Sequence, residues 1–442
     1  MMKASYRNNL FSFTAVLFVA ILFPMTGSAE TMIWAPAPLG VLIEEGLSNN
    51  QSINSLKSQI EALNDLESVA GSLQDPKVGF GLLNLPIDSF SFDQEPMTQK
   101  QISISQKFPW FGKLDLKTQR ATLTTGQKAM ALVSEKLTLS KNIAHGWYDL
   151  GFVSKSQEIN SRLIQRVQQI LRSAESRYAT GYGLQQNIFQ AQVELSQLSD
   201  EKITLQKKRR ITEDRLNELL NRESFESIKA PVELDFPDLK IGTDIAVPTL
   251  QSIARKYNPV LKTKEIEILK EQTNIDLAHK DYMPDFDIKL AYGQRDRSQA
   301  GQNRDDFFSA VLAMNIPVWK NSRQDKNLSA ATASHHAAEQ SYQYLQESLN
   351  HQVDALATEI QDLQESFKLY KDSLLPQAKQ WARAAKNAYE VDKVEFDTMI
   401  DAQIRLLKFE LQAEKYLFDI YKKRADLETV IGKPLDVVTA LK

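Results

Sequence analysis

The landmarks of the first half of this chain recur in the second half at a nearly constant offset of 208 to 211 residues. Pro76 in Asp75-Pro76-Lys77 answers to Pro284 in Met283-Pro284-Asp285, and Pro109 in Phe108-Pro109-Trp110 to Pro317 in Ile316-Pro317-Val318-Trp319. Tyr178 answers to Tyr389, Ala191-Gln192 to Ala402-Gln403, and Leu220-Asn221-Arg222 to Ile431-Gly432-Lys433. The offset is too long for a solenoid repeat, so a domain-sized unit has been duplicated. We place the first unit at 30–222 and the second at 248–442. Between them, 223–247 holds Pro231 and Pro237, abuts Pro248, and reads as a linker. With the two mature termini it is expected to form a collar outside the helical body.

Each unit carries two short alternating segments between long helical ones. In the first they run from Lys77 to Leu85 and from Gln99 to Phe108, where Ile102 and Ile104 fall opposite Gln101, Ser103 and Ser105. In the second they run over 284–293 and 307–316. There Phe286, Ile288, Leu290 and Tyr292 alternate with Asp287, Lys289, Ala291 and Gly293, and Phe308, Ala310, Leu312, Met314 and Ile316 share one side. The tips between the paired segments, Asp88 to Met97 and Gln294 to Asp306, are polar, as water-exposed loops should be. One such pair alone reads as a soluble hairpin. Two at duplicate positions, each fenced by proline, read as membrane strands. Four strands cannot close a barrel, since the smallest membrane barrels have about 8. The barrel is therefore shared, and three copies would supply twelve strands.

The remaining sequence predicts helices. Lys113 to Tyr178 and Asn321 to Tyr389 are long ones; Val41 to Gln74, Leu184 to Arg222, Pro248 to Tyr282 and Val394 to Ile431 are shorter. Two short helices end to end match one long helix, which suits a wall of long helices alternating with stacked pairs. Ile400, Ile404, Leu407, Leu411, Phe418 and Tyr421 keep a heptad spacing interrupted by Glu414, and Leu406, Phe409, Ala413, Leu417, Ile420 and Leu427 form a second stripe. Two stripes mean two neighbours. Pro376, inside the second long helix, should kink it or mark a junction. The fold class is thus mainly α with a membrane β part: long antiparallel coiled-coil helices plus four strands per chain.

Lys3 and Arg7 before the apolar run Leu10 to Phe23, and Gly27-Ser28-Ala29 after it, read as a signal peptide over 1–29 cleaved before Glu30. No later stretch approaches 18 consecutive apolar residues, so any membrane crossing falls to strands. There is no cysteine, which excludes disulfides, thiolate metal sites and a lipidated N-terminal cysteine. Lys and Arg number 53 against 56 Asp and Glu, leaving no basic surplus for nucleic acid.

Three stretches resemble the TolC-like outer membrane factors, the outer membrane efflux proteins, and the similarity runs from about Leu39 to Leu435. Ser105-Gln106-Lys107-Phe108-Pro109-Trp110-Phe111-Gly112-Lys113 is similar to the strand-to-helix junction of members that serve heavy-metal exporters. Arg177-Tyr178-Ala179-Thr180-Gly181-Tyr182-Gly183 with Gln190-Ala191-Gln192 resembles the first periplasmic helix turn. Leu374-Leu375-Pro376-Gln377-Ala378, Ala388-Tyr389 and Asp401-Ala402-Gln403 resemble the second. The resemblance implies a homotrimer in outer-membrane lipid, with a twelve-stranded barrel and a twelve-helix periplasmic tunnel. It implies two further partners, a periplasmic adaptor (membrane fusion) protein and an inner-membrane pump of the RND or ABC type. The implied function is passive efflux of metal cations or small molecules. Many relatives begin with a lipidated cysteine, which this chain lacks. An exit duct for type I protein secretion and, in another class, a secreted structural coiled coil remain open.

On that template the junction residues are Pro109, Trp110, Gly112, Pro317 and Trp319. The adaptor contacts are Thr180, Gly181, Tyr182, Gly183, Asp392 and Lys393. Asp392, Glu395, Asp397 and Asp401, with Glu390, crowd the second turn, where the family narrows to an aperture. Asp397 and Asp401 are i,i+4 and share a helix face. In a trimer each carboxylate becomes a ring of three that attracts cations; the alternative is a solvated helix start with acids near its positive end. We find no catalytic constellation, no glycine-rich phosphate loop and no cofactor motif. The histidines at 145, 279, 335, 336 and 351 read as surface residues, and the nine methionines form no cluster.

Overall fold

A computed structural model describes residues 33–224, 226–231, 234 and 245–440, with backbone alone for 438–440. The signal segment, its cleavage point before Glu30 and most of the linker lie outside the described residues. In chain order the elements are α1 (Ala37–Asn49), α2 (Gln51–Gly71), β1 (Lys77–Leu83), β2 (Gln99–Phe108), α3 (Lys113–Ala179) and α4 (Gln185–Leu220). Then follow α5 (Val247–Tyr257), α6 (Pro259–Lys280), β3 (Phe286–Gln294), β4 (Phe307–Met314) and α7 (Gln324–Leu369). A π-helical turn (Tyr370–Leu374), α8 (Leu375–Glu390), α9 (Phe396–Ile431) and α10 (Leu435–Ala440) complete the chain.

The duplication governs the geometry. α3 has 67 residues, about 100 Å of helix at 1.5 Å per residue, and Gln324–Glu390 has the same number of residues. The second long helix carries the π turn where α3 is unbroken. Pro376 has no N–H to donate and its ring crowds the carbonyl four residues back; just before it the Leu375 N–H donates to Tyr370 O, five residues back. α4 and α9 both end on a left-handed residue, Asn221 at φ 55° and Gly432 at φ 73°. At Gly432 a side chain would also come within 2.6 Å of the Tyr257 carbonyl oxygen, so glycine alone fits. The drift in offset has a single origin. Pro109 and Pro317 stand 208 apart, but Lys113 and Gln324, where the helices after them begin, stand 211 apart. Three extra residues therefore lie in the second strand-to-helix junction, and the second long helix begins at Gln324, not at Asn321.

The segments expected as single helices over 41–74 and 248–282 are each two. Asn50 and Asn258 break them, and each caps the following helix: the Asn50 side chain accepts from Ile53 N at 3.1 Å and Asn258 from Leu261 N at 2.9 Å. The expected strands are trimmed at their ends. β1 stops at Leu83 because Asn84 turns left-handed at φ 55°, β3 begins at Phe286, and β4 stops at Met314.

The two stripes of α9 do meet different neighbours. Ile400, Ile404, Leu407 and Leu411 pack with Ile159, Leu163 and Val167 of α3. From the second stripe, Leu406 packs on Ala382 and Ala385 of α8, Phe409 meets the Tyr370 ring edge-on at 5.7 Å, and Leu427 joins Val353 and Ile360 of α7. Glu414, the break in the heptad, is half-buried, and burial pushes its carboxyl up from the usual carboxylate range. Midway along the wall the core is densest. Trp34, Tyr421 and Tyr148 stack at 5.5 and 5.2 Å between centroids, over a buried polar knot of Arg424 and Glu428.

Candidate conduit: a two-faced sheet and two helix turns

The four strands form one antiparallel sheet in the order β1-β2-β3-β4. Its register places Val78, Ile104, Leu290 and Ala310 in one row and Phe80, Ile102, Tyr292 and Phe308 in the next. With Leu82, Phe108, Phe286, Ile288, Leu312 and Met314 these residues make one face mainly apolar, its polar members being Lys100, Gln106 and Gln294 towards the strand ends, because alternate side chains point the same way. The other face is the more polar one, with Lys77, Gln99, Gln101, Ser103, Ser105, Lys107, Asp287, Lys289 and Ser309 beside Leu83, Ala291, Phe307, Val311 and Ala313. No core covers the apolar face: Phe80 is 82% exposed and Phe308 72%. A soluble hairpin buries its apolar side; this sheet shows it to the surroundings. Among the described residues β1 and β4 each lack a partner on their outer edge.

At the helical end of the sheet the predicted junction residues form a belt. Trp110 stacks on Phe286 at 5.6 Å, and its N–H donates to Asp285 Oδ1 at 2.9 Å. Lys113 reaches Asp285 at 2.9 Å and Asp281 at 3.2 Å. Pro109 holds Phe108 extended, and Gly112 at φ 80° turns the chain into α3. In the second unit the longer junction leaves Val318 and Trp319, after Pro317, exposed. Trp110, Phe111 and Trp319 thus border the apolar band where interfacial aromatics belong.

At the far end of the helices two turns lie side by side. In the first, Thr180 Oγ1 donates to Ser176 O at 3.1 Å and Tyr182 N to Arg177 O at 2.9 Å across Gly181, at φ 79°. Tyr182 is exposed. A side chain at Gly183 would lie 2.9 Å from Tyr178 N, which keeps that turn tight. In the second, Asp392 takes the left-handed position at φ 57° and Lys393 N donates to Ala388 O at 2.8 Å. Arg177 joins the two. It donates to Tyr389 O at 3.2 Å, lies over the Tyr389 ring at 4.9 Å and pairs with Asp392.

Residues 250–433 match the family model of the outer membrane efflux proteins. The second half of the chain thus resembles that family. VceC of Vibrio cholerae is 17% identical with a TM-score of 0.75, covering 90% of this chain and 96% of its own. The open-state MtrE channel of Neisseria gonorrhoeae is 13% identical with a TM-score of 0.73, over 92% and 93% of the two chains. CusC is 16% identical with a TM-score of 0.73, over 93% and 96%. At these identities the likeness is one of fold, and it extends over nearly the whole chain. No curated protein matches the chain significantly.

The acidic residues singled out in the sequence do not act alike. Asp392 is neutralised by Arg177, and Asp401 pairs with Arg405 at 3.0 Å. Glu395 occupies the N-cap position of α9 without capping it through its side chain, and Asp397 stands exposed in the first turn. Arg177 belongs to the first-turn motif, but its partners are 212 and 215 residues away, beyond any local signal. His145, about one third exposed, lies at the α3–α9 seam, 2.9 Å from Asp426 and 3.2 Å from Lys422 O. Among the described residues no group of three or more His, Cys, Asp or Glu is placed to hold a metal ion. The family is one of passive channels serving as efflux exit ducts.

Proposed function

We propose that three copies of this chain close their sheets into a twelve-stranded barrel in the outer membrane and their helices into a periplasmic tunnel. The observation that carries this reading is the bare apolar face of a sheet whose other face is the more polar one and whose edges are open. Lipid satisfies the first, a water-filled lumen the second, and neighbouring copies the third. An inner-membrane pump of the RND or ABC type supplies the energy, through an adaptor docked on the turns at Thr180–Gly183 and Asp392–Lys393. The cargo is a metal cation or a small molecule, which the junction sequence Ser105–Lys113 favours over secreted protein.

The aperture lies at the second turn. Arg177 spends the charge of Asp392 within the chain, and Arg405 offsets Asp401, so Asp397 and Glu395 are the carboxylates here without a paired cation among the described residues. Three copies around one axis make a ring that holds multivalent cations. In planar-bilayer recordings, Asp397→Ala with Asp401→Ala should raise the half-blocking concentration of a trivalent cation on the periplasmic side by about tenfold, equivalent to ~1.4 kcal/mol. Trimer yield should hardly change. Unchanged block in an assembled double variant would reduce the acids to a solvated helix start, and absence of any conductance would overturn the duct itself.

A further inference from the structure

Where the sheet meets the helices its apolar face dips into a notch of about 430 Å³, within the range of small-ligand sites. Phe108, Phe286, Ile288 and Leu312 line it from the strands, Trp110 and Phe111 from the junction, and Leu73 from the segment before β1. We propose that this notch binds one glycerophospholipid of the periplasmic leaflet, an acyl chain lying among the aromatics and a headgroup bearing phosphate and ammonium at the rim. The proposal rests on reading the sheet as a membrane barrel.

Three observations carry it. The notch continues the lipid-facing band and ends at its aromatic belt, the depth at which acyl chains give way to headgroups. Apart from Asp115 its lining is apolar, and none of the described residues fills it. Its rim bears one charge of each sign. Asp115, exposed in the first turn of α3, lines the notch. On the other side Gly112 lines the notch, and the Lys280 ammonium lies 3.5 Å from where a side chain there would begin. Among the described residues no carboxylate pairs with Lys280, whereas Lys113 close by is held by Asp281 and Asp285. A phosphate fits Lys280 and a primary ammonium fits Asp115. Phosphatidylethanolamine carries both; phosphatidylglycerol carries only the first.

The test is native mass spectrometry of the delipidated full-length trimer, titrated with phosphatidylethanolamine or phosphatidylglycerol. Wild type should take up one phosphatidylethanolamine per chain, several-fold more tightly than phosphatidylglycerol. Leu73→Trp, which fills the notch from its exposed rim, should abolish uptake of both. Lys280→Glu should weaken both by about tenfold, and Asp115→Asn should erase only the preference for phosphatidylethanolamine. A conducting trimer with no saturable lipid, or with uptake indifferent to Leu73→Trp, overturns this site and leaves the duct standing. A chain that neither trimerises nor conducts overturns the duct reading and the site with it.

Discussion

Leu290→Arg is expected to abolish assembly of the membrane-embedded trimer, while Ser309→Arg on the opposite face leaves it intact. Leu290 lies midway along β3, in register with Ile104 and Ala310, all on the apolar face. An arginine at the bilayer midplane of a barrel costs about 2–4 kcal/mol, and each trimer would bear it three times. Ser309 pairs with Ala291 and points to the polar side, where Lys289 already carries a charge. There the arginine should change conductance and not assembly. Unheated electrophoresis of the outer-membrane fraction distinguishes the two. Equal trimer yields would mean that the apolar face does not meet lipid, and loss confined to Ser309→Arg would mean that the faces are the other way round.

The second large effect is expected where the chain's ends are tied. Glu428 is fully buried and accepts from Trp34 N at 2.8 Å, Leu435 N at 3.0 Å and Arg424 Nε at 3.0 Å. Burial pushes its carboxyl up from the ordinary value; Arg424 and the two amides pull against that push. Arg424 also reaches Asp436 at 2.7 Å and lies over the Trp34 ring at 4.3 Å. One carboxylate thus holds the segment before α1, the start of α10 and the end of α9 together. Glu428→Leu leaves two amides without their acceptor and the buried Arg424 guanidinium with Asp436 as its remaining carboxylate, and should cost about 3–5 kcal/mol. Arg424→Met with Glu428→Leu should recover part of that, because the stranded charge goes too. Thermal unfolding in detergent, followed by circular dichroism, measures both. A single variant as stable as wild type would mean the knot fastens nothing.

What could be read from the sequence was what is encoded locally. The alternation of Phe286 to Tyr292 declared strands, because period two is visible in a handful of residues. Pro109 and Pro317 declared the strand-to-helix junctions, and Pro376 the interruption that became a π turn. The breaks at Asn50 and Asn258 were also local, the second with proline directly after it. The same cap recurs 208 residues on. The contacts that join the turns and the ends were not legible. Arg177 meets Asp392 across 215 residues and Trp34 meets Glu428 across 394; only the fold brings such pairs together. Nor does helical spacing reveal that Asp401 would be offset by Arg405 while Asp397 would not.

Because β1 and β4 both end on open edges, no single copy can stand in lipid. Native mass measurement of the mature protein, extracted from the outer membrane in detergent, tests this most directly. The shared barrel predicts a species of three chains and no folded monomer. A stable monomer that keeps its strand content would contradict it.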